Sequence, residues 1–289
     1  MGRRNAPGKR KMTNKRILIT GGNSGIGLVA ARELASEGAE VILACRDSDK
    51  TRQALDIISA AGSVEAVNLP VDLASLESVR ALATTVGERY DSLQVLINNA
   101  GTFPASRQLT QDGFEMQFGV NHLAHFLLTN LLLPKLEAGK PATVITVSSK
   151  LHMSGKIDFE SFRGEKKYSA QAAYGQSKLA NLLFGKELAA RLDGTGVTSN
   201  VLHPGAVKTE IMRDLPWLIR TLVGAFFISP EVGAKTTVML ADEKVYTEQN
   251  GSYYDQTRLA EYSPQADDVN LKARLWDVSA ELAGLPKAS

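Results

Sequence analysis

One cysteine in 289 residues, Cys45, leaves no partner for an internal disulfide and excludes a cysteine-built metal site. Histidine is scarce too, at four. His122 and His125 fall within one helical turn, but His-x-x-His without a third ligand is weak ground for a metal, and helix packing is the expectation. No apolar run reaches the roughly 18–20 residues that span a bilayer. The stretch 126–133 is too short, and Thr129 and Asn130 interrupt it. The N-terminus has no apolar segment of the secretory kind, so a soluble, cytoplasmic protein is expected, with peripheral membrane contact left open.

Acid is missing from the first sixteen residues, which hold seven positive charges from Arg3 to Arg16. Setting these aside leaves 26 basic against 31 acidic residues, so the body of the chain is mildly acidic. A basic arm suits nucleic acid or an anionic membrane, or is simply a solvated, disordered terminus. No aromatic-interleaved basic patch or recognition motif accompanies it, so no nucleic-acid partner is expected. Residues 1–14 are read as this tail and 15–289 as one domain. The 44% hydrophobic and 22% charged content is enough for a sizeable core.

Short apolar runs alternate with stretches of helical spacing. Residues 17–20, 41–44, 66–69, 95–97, 143–147 and 199–202 read as six strands, and 76–86, 119–133 and 173–192 as three of the helices between them. Strands this rich in Val and Ile, with few polar breaks, belong to a parallel sheet covered on both faces. Right-handed crossovers then give an α/β, doubly wound sheet in a single domain. A polar insertion at 156–167 and an apolar segment at 210–229 interrupt the rhythm. The latter follows the sixth strand and is read as a substrate lid, with ordinary core packing as the alternative.

The first strand runs into Thr20-Gly21-Gly22-Asn23-Ser24-Gly25-Ile26-Gly27 and then a helix. Glycines there let the backbone approach a pyrophosphate, and the helix start offers free N–H groups to its charge. The second strand ends Ala44-Cys45-Arg46, so Cys45 stands where an NAD site usually places an acid. Arg46 follows and suits a 2′-phosphate, favouring NADP(H), although Asp47 is close enough to neutralise it instead. Asp72 and Leu73, after the third strand, fall near the adenine. Asn98-Asn99-Ala100-Gly101 ends the fourth strand with groups suited to backbone and nucleotide.

Tyr174 and Lys178 are four apart and so share a helix face. A phenol with a reference pKa of about 10 is a poor base near neutrality, and a nearby cation favours its ionised form. None of the other six tyrosines has a lysine four residues on.

Thr20–Gly27, Asn98–Gly101, Ser148-Ser149, Tyr174-Gly175-Gln176-Ser177-Lys178 and Pro204-Gly205 occur in an order that resembles the short-chain dehydrogenase/reductase superfamily, over roughly residues 15–284. Ala44-Cys45-Arg46-Asp47, the run from Asn121 to Phe126 and His203-Pro204-Gly205 look like its retinol dehydrogenase branch. That resemblance implies a Rossmann domain and an oxidoreductase interconverting a carbonyl and an alcohol on a small lipophilic substrate. It implies a catalytic set of Asn121, Ser149, Tyr174 and Lys178, with Lys178 also holding the nicotinamide ribose and Asn121 supporting a proton path. Ser148 is the neighbour that Ser149 is most easily confused with. Pro204, Gly205, Val207 and Thr209 are expected near the nicotinamide end. Members often form homodimers through the fourth and fifth helices. An NADP(H)-binding regulatory protein without turnover is the competing reading.

Overall fold

The computed structural model describes residues 12–164, 166–205 and 228–286. Among these, eight strands form one sheet in the order β3-β2-β1-β4-β5-β6-β7-β8. They are β1 (Arg16–Thr20), β2 (Glu40–Cys45), β3 (Val67–Pro70), β4 (Val95–Asn98), β5 (Ala142–Val147), β6 (Val197–His203), β7 (Tyr253–Asp255) and β8 (Arg258–Leu259). Every pairing is parallel except that of β7 with β8. The chain winds outward from β1 in both directions, so the strand order reverses between β1 and β4. Sheets of this kind take their ligands there, beyond the carboxyl ends of the strands.

Helices cover both faces: α1 (Gly25–Ser36), α2 (Asp49–Ala61), α3 (Leu76–Arg89), α4 (Met116–Phe118), α5 (Ala124–Ala138), α6 (Ala170–Arg191), α7 (Pro230–Leu240), α8 (Glu243–Tyr246) and α9 (Val269–Leu282). On one face α1 and α7 pack together, and Ala30, Leu34, Ala234 and Leu240 meet Ile17, Ile19 and Leu43. On the other, α3, α5 and α6 bring Val79, Leu127 and Leu183 against Leu18, Leu96 and Val144. β5 is buried at all six positions, as a strand covered on both faces should be. The last helix, α9, lies across α6 and α5 through Leu275 and Trp276. Among the described residues no helix is long and apolar enough to cross a membrane.

Residues 12–14, assigned to the tail in the sequence, are among those described. Met12 is buried, its N–H donates to the Glu37 carbonyl, and Lys15 N–H closes a turn onto Met12. A lone apolar residue ending a basic tail has found a place beside α1. β7 and β8 add to the six expected strands, being too short to show as apolar runs. Most of the apolar segment 210–229, together with Val207 and Thr209, lies outside the described residues.

Candidate active site

The glycine loop is shaped by close backbone approach. Gly21 has φ +65°, a conformation that a side chain strains. A Cβ on Gly27 would stand 2.5 Å from the Gly21 carbonyl oxygen and 2.6 Å from Asn99 Nδ2. The loop therefore folds flat onto the start of α1, which carries no acid in its first turn to compete for an incoming anion. This is a cradle of the kind that admits a pyrophosphate. Asn23 reaches across to α2: its Nδ2 donates to Thr51 Oγ1 at 2.9 Å, and that hydroxyl donates to the Arg46 carbonyl at 2.7 Å. Thr51 is buried and went unnoticed in the sequence, since only the fold brings it beneath the loop.

The Cys45 thiol is buried against the backbone of Gly21, Gly22 and Asn23, and burial pushes its pKa up. The Arg46 side chain is exposed at the end of β2. Asp47, the residue positioned to neutralise it, pairs instead with Arg52 at 3.0 Å. Asp72 accepts from the Ala74 N–H at 3.0 Å and so shapes the turn after β3, with Leu73 half-buried beside it.

The two asparagines that end β4 divide their work. Asn98 turns its amide toward α5, donating to Thr129 Oγ1 at 2.9 Å, so its side chain supports the sheet and helix. Asn99 braces the glycine loop, donating from Nδ2 to the carbonyls of Thr20 at 2.8 Å and Gly21 at 3.3 Å. The sequence offered both amides for backbone and nucleotide without dividing their roles, because the two are indistinguishable until their directions are known. Ala100 N–H donates to Thr20 Oγ1 at 3.0 Å.

Gly101 brings the next group together. A Cβ placed there would lie 3.5 Å from Asn121 Oδ1 and 3.6 Å from Lys178 Nζ, so the two side chains converge on it. Asn121 does not sit in a regular helix as expected. It lies in a π-helical turn, Gly119–Leu123, between α4 and α5. Such turns are frequent at functional sites. The Asn121 amide clamps Thr102 from both sides, accepting its N–H at 2.7 Å and donating to its carbonyl at 3.1 Å. It also donates to Ser177 Oγ at 3.0 Å, which in turn donates to the Tyr174 carbonyl at 2.9 Å.

Tyr174 is buried in the first turns of α6, with the edge of the half-buried Phe103 ring 5.1 Å away between centroids. Ser149 hydrogen-bonds to it, but burial dominates and pushes the phenol up to about 12. Tyr174 is thus raised rather than lowered, contrary to the expectation drawn from the neighbouring lysine, since the desolvation of a buried phenolate is the larger effect. Lys178 Nζ lies 5.5 Å from the Tyr174 ring centre and donates to the Val147 carbonyl at 3.1 Å. Burial lowers it to about 8, which keeps it charged at neutral pH.

The two serines after β5 also separate. Ser148 is buried and donates to the Lys178 carbonyl at 2.7 Å, fastening β5 to α6. Ser149 is half-buried on the Tyr174 side and caps the short 3-10 turn Lys150–Ser154. Tyr168 donates its hydroxyl to the Pro104 carbonyl at 3.1 Å, a structural bond. Pro204 and Gly205 follow β6, with Gly205 at φ +94° against Ile228. The structure thus brings Asn121, Ser149, Tyr174 and Lys178 to one place, beside the glycine cradle and beyond the carboxyl ends of β4 and β5.

The short chain dehydrogenase family model matches residues 15–216. Human retinol dehydrogenase 14 is 43% identical over 296 residues, covering 96% of this chain and 88% of that protein. Human retinol dehydrogenase 12 is 42% identical over 278 residues, with 95% and 88% covered. Among solved structures, an uncharacterised protein from Mycobacterium paratuberculosis superposes with a TM-score of 0.79 at 36% identity, covering 96% of this chain and 97% of that one. The NADP active-site complex of RhlG from Pseudomonas aeruginosa gives 0.70 at 26% identity, with 86% and 96% covered.

Proposed function

The chain belongs to the short-chain dehydrogenase family, in its retinol dehydrogenase-like branch, and from that premise we propose that it uses NADP(H) to interconvert a lipophilic aldehyde or ketone with its alcohol. Oxidoreduction at a CH–OH group follows from the family itself. The cofactor choice, the substrate class and the residue roles are our reading. The observation that carries it is the convergence of Asn121, Ser149, Tyr174 and Lys178 beside a loop too close-packed to accept a side chain at Gly27.

When bound, the nicotinamide supplies the hydride that passes to or from the substrate carbon. Tyr174 moves the matching proton at the substrate oxygen. With its pKa held near 12 it is a neutral phenol at pH 7, the form that donates during reduction. Ser149 hydrogen-bonds the same oxygen and stabilises the negative charge growing there. Lys178 stays charged and close to the Tyr174 ring, so its field favours the phenolate left after the proton departs. By resemblance to the family, it would also hold the cofactor's ribose. Asn121 holds the Thr102 backbone and, through Ser177, the turn of α6 bearing Tyr174. Phe103 packs against the phenol ring in a T-shaped contact.

NADP(H) over NAD(H) is supported by the end of β2. Burial of the uncharged Cys45 removes the usual ribose-binding acid, and the Asp47–Arg52 pair leaves the exposed Arg46 fork for a 2′-phosphate. Arg46→Ala is expected to raise the KM for NADPH about tenfold, the equivalent of one charge-assisted bond, and to leave that for NADH within about twofold. Initial rates with each cofactor check this, and an equal loss for both would remove Arg46 from phosphate recognition. A retinoid-like substrate is supported by the named activity of the retinol dehydrogenase relatives and by the apolar sequence at 210–229.

A further inference from the structure

His125 makes two side-chain hydrogen bonds that the chemistry above does not use. It is fully buried in the first turn of α5. Its Nδ1 lies 3.0 Å from the Asn121 carbonyl, and its Nε2 lies 2.9 Å from Thr20 Oγ1. The Thr20 hydroxyl already accepts the N–H groups of Asn99 and Ala100, each at 3.0 Å. Its single proton has two acceptors in reach, His125 Nε2 at 2.9 Å and the Ile97 carbonyl at 3.4 Å, and the nearer one wins. A carbonyl on one side and a hydroxyl donor on the other require the Nδ1-protonated, neutral imidazole. Burial keeps it neutral, lowering its pKa to about 4.

The result is a continuous line of hydrogen bonds. It runs from the Asn121 carbonyl through the His125 ring and Thr20 hydroxyl to the backbone of Asn99 and Ala100. It joins the π-helical turn bearing Asn121, the end of β1 that starts the glycine loop, and the loop after β4. We infer that His125 is a positioning residue, whose two ring nitrogens set where Asn121 stands relative to the cofactor-binding loops. The inference rests on the proposed oxidoreductase reading. In sequence, His122 and His125 look alike. The structure separates them, since His122 Nε2 meets Ser279 on α9 at 2.9 Å, away from the site.

The two bonds can be removed separately. An asparagine four residues after a carbonyl reproduces the Nδ1 bond, as Asn130 does in the same helix by donating to the Phe126 carbonyl at 2.8 Å. His125→Asn therefore keeps the hold on Asn121 and loses Thr20, whereas His125→Phe loses both. For His125→Phe we expect kcat to fall about tenfold or more and the NADPH Kd to rise about tenfold, one lost hydrogen bond being on the order of tenfold in either quantity. For His125→Asn the Kd rises by the same factor while kcat at saturating NADPH stays within about threefold of wild type. The measurements are NADPH fluorescence titration and steady-state rates, with a thermal melt to count folded protein. Lower melting temperatures with unchanged kcat and Kd per folded molecule would overturn the positioning role and leave the proposed activity standing. A wild type that binds NADPH but reduces no aldehyde would sink the activity instead. The inference would then be decided by Kd alone, weaker in both variants or overturned. Should His125→Phe fail to fold, the Kd of His125→Asn decides in the same way.

Discussion

Tyr174→Phe is expected to lower kcat for carbonyl reduction on the order of 10³-fold, within the range that a positioned proton donor contributes. The ring stays, so its edge contact with Phe103 and its place in the first turns of α6 are unchanged, and only the hydroxyl and its bond with Ser149 are lost. NADPH affinity is expected to remain within about threefold, because the deleted atom is the one proposed to serve the substrate oxygen rather than the cofactor. The melting temperature is expected to hold or rise slightly, since a phenol desolvated enough to titrate near 12 gains little from burial of its oxygen. Single-turnover rates with preloaded NADPH isolate this step. A variant with more than a tenth of wild-type kcat would mean that another group supplies the proton.

Lys178→Met is expected to disable the enzyme without weakening the fold. Its effect on kcat is a loss of about 100-fold or more, the usual scale for removing a charge poised beside a developing anion. The stability effect has the opposite sign. Lys178 titrates near 10.5 in a solvated chain and near 8 when folded. Between those values the unfolded chain still holds a proton that the folded chain has released, so stability climbs as pH rises from about 8 to 10.5. Below that window the buried ammonium costs the folded state on the order of 3 kcal/mol. Methionine fills a similar volume without the charge, and the Val147 carbonyl keeps its bond from Asn181 at 3.1 Å. At pH 7 the variant should melt at or above the wild-type temperature, and the alkaline gain in stability should vanish. A variant several degrees less stable at pH 7 would show that the lysine's hydrogen bond outweighs its desolvation.

The sheet and the proton-handling pair were open to reading because each rests on local signals. Val- and Ile-rich runs marked six strands to within a residue or two, and the four-residue spacing of Tyr174 and Lys178 put both on one face of α6. The four-residue spacing did not reveal the balance between burial and charge at Tyr174. Desolvation depends on what packs around the ring, and Phe103 comes from a loop some seventy residues earlier. Asn121 was found, but its π-helical turn was not, since an extra residue in a turn leaves no compositional trace. Helical spacing was read over 119–133, yet α5 runs on to Ala138 with Pro134 inside it. The bridging roles of Thr51, Asn99 and Ser177 went unread for a shared reason. Each acts by bridging segments that become neighbours only in the fold, and Thr or Asn in isolation says nothing about its partner.

The central claim is NADP(H)-dependent carbonyl reduction with Tyr174 as the proton donor. Its most direct test is nicotinamide absorbance at 340 nm with retinal and a panel of other lipophilic aldehydes and ketones, NADPH and NADH side by side and Tyr174→Phe as control. NADPH is expected to be consumed in preference to NADH, with stoichiometric alcohol formed and the reaction abolished in the variant. NADPH binding without consumption of any panel member would contradict that claim and favour a cofactor-sensing role for the same fold.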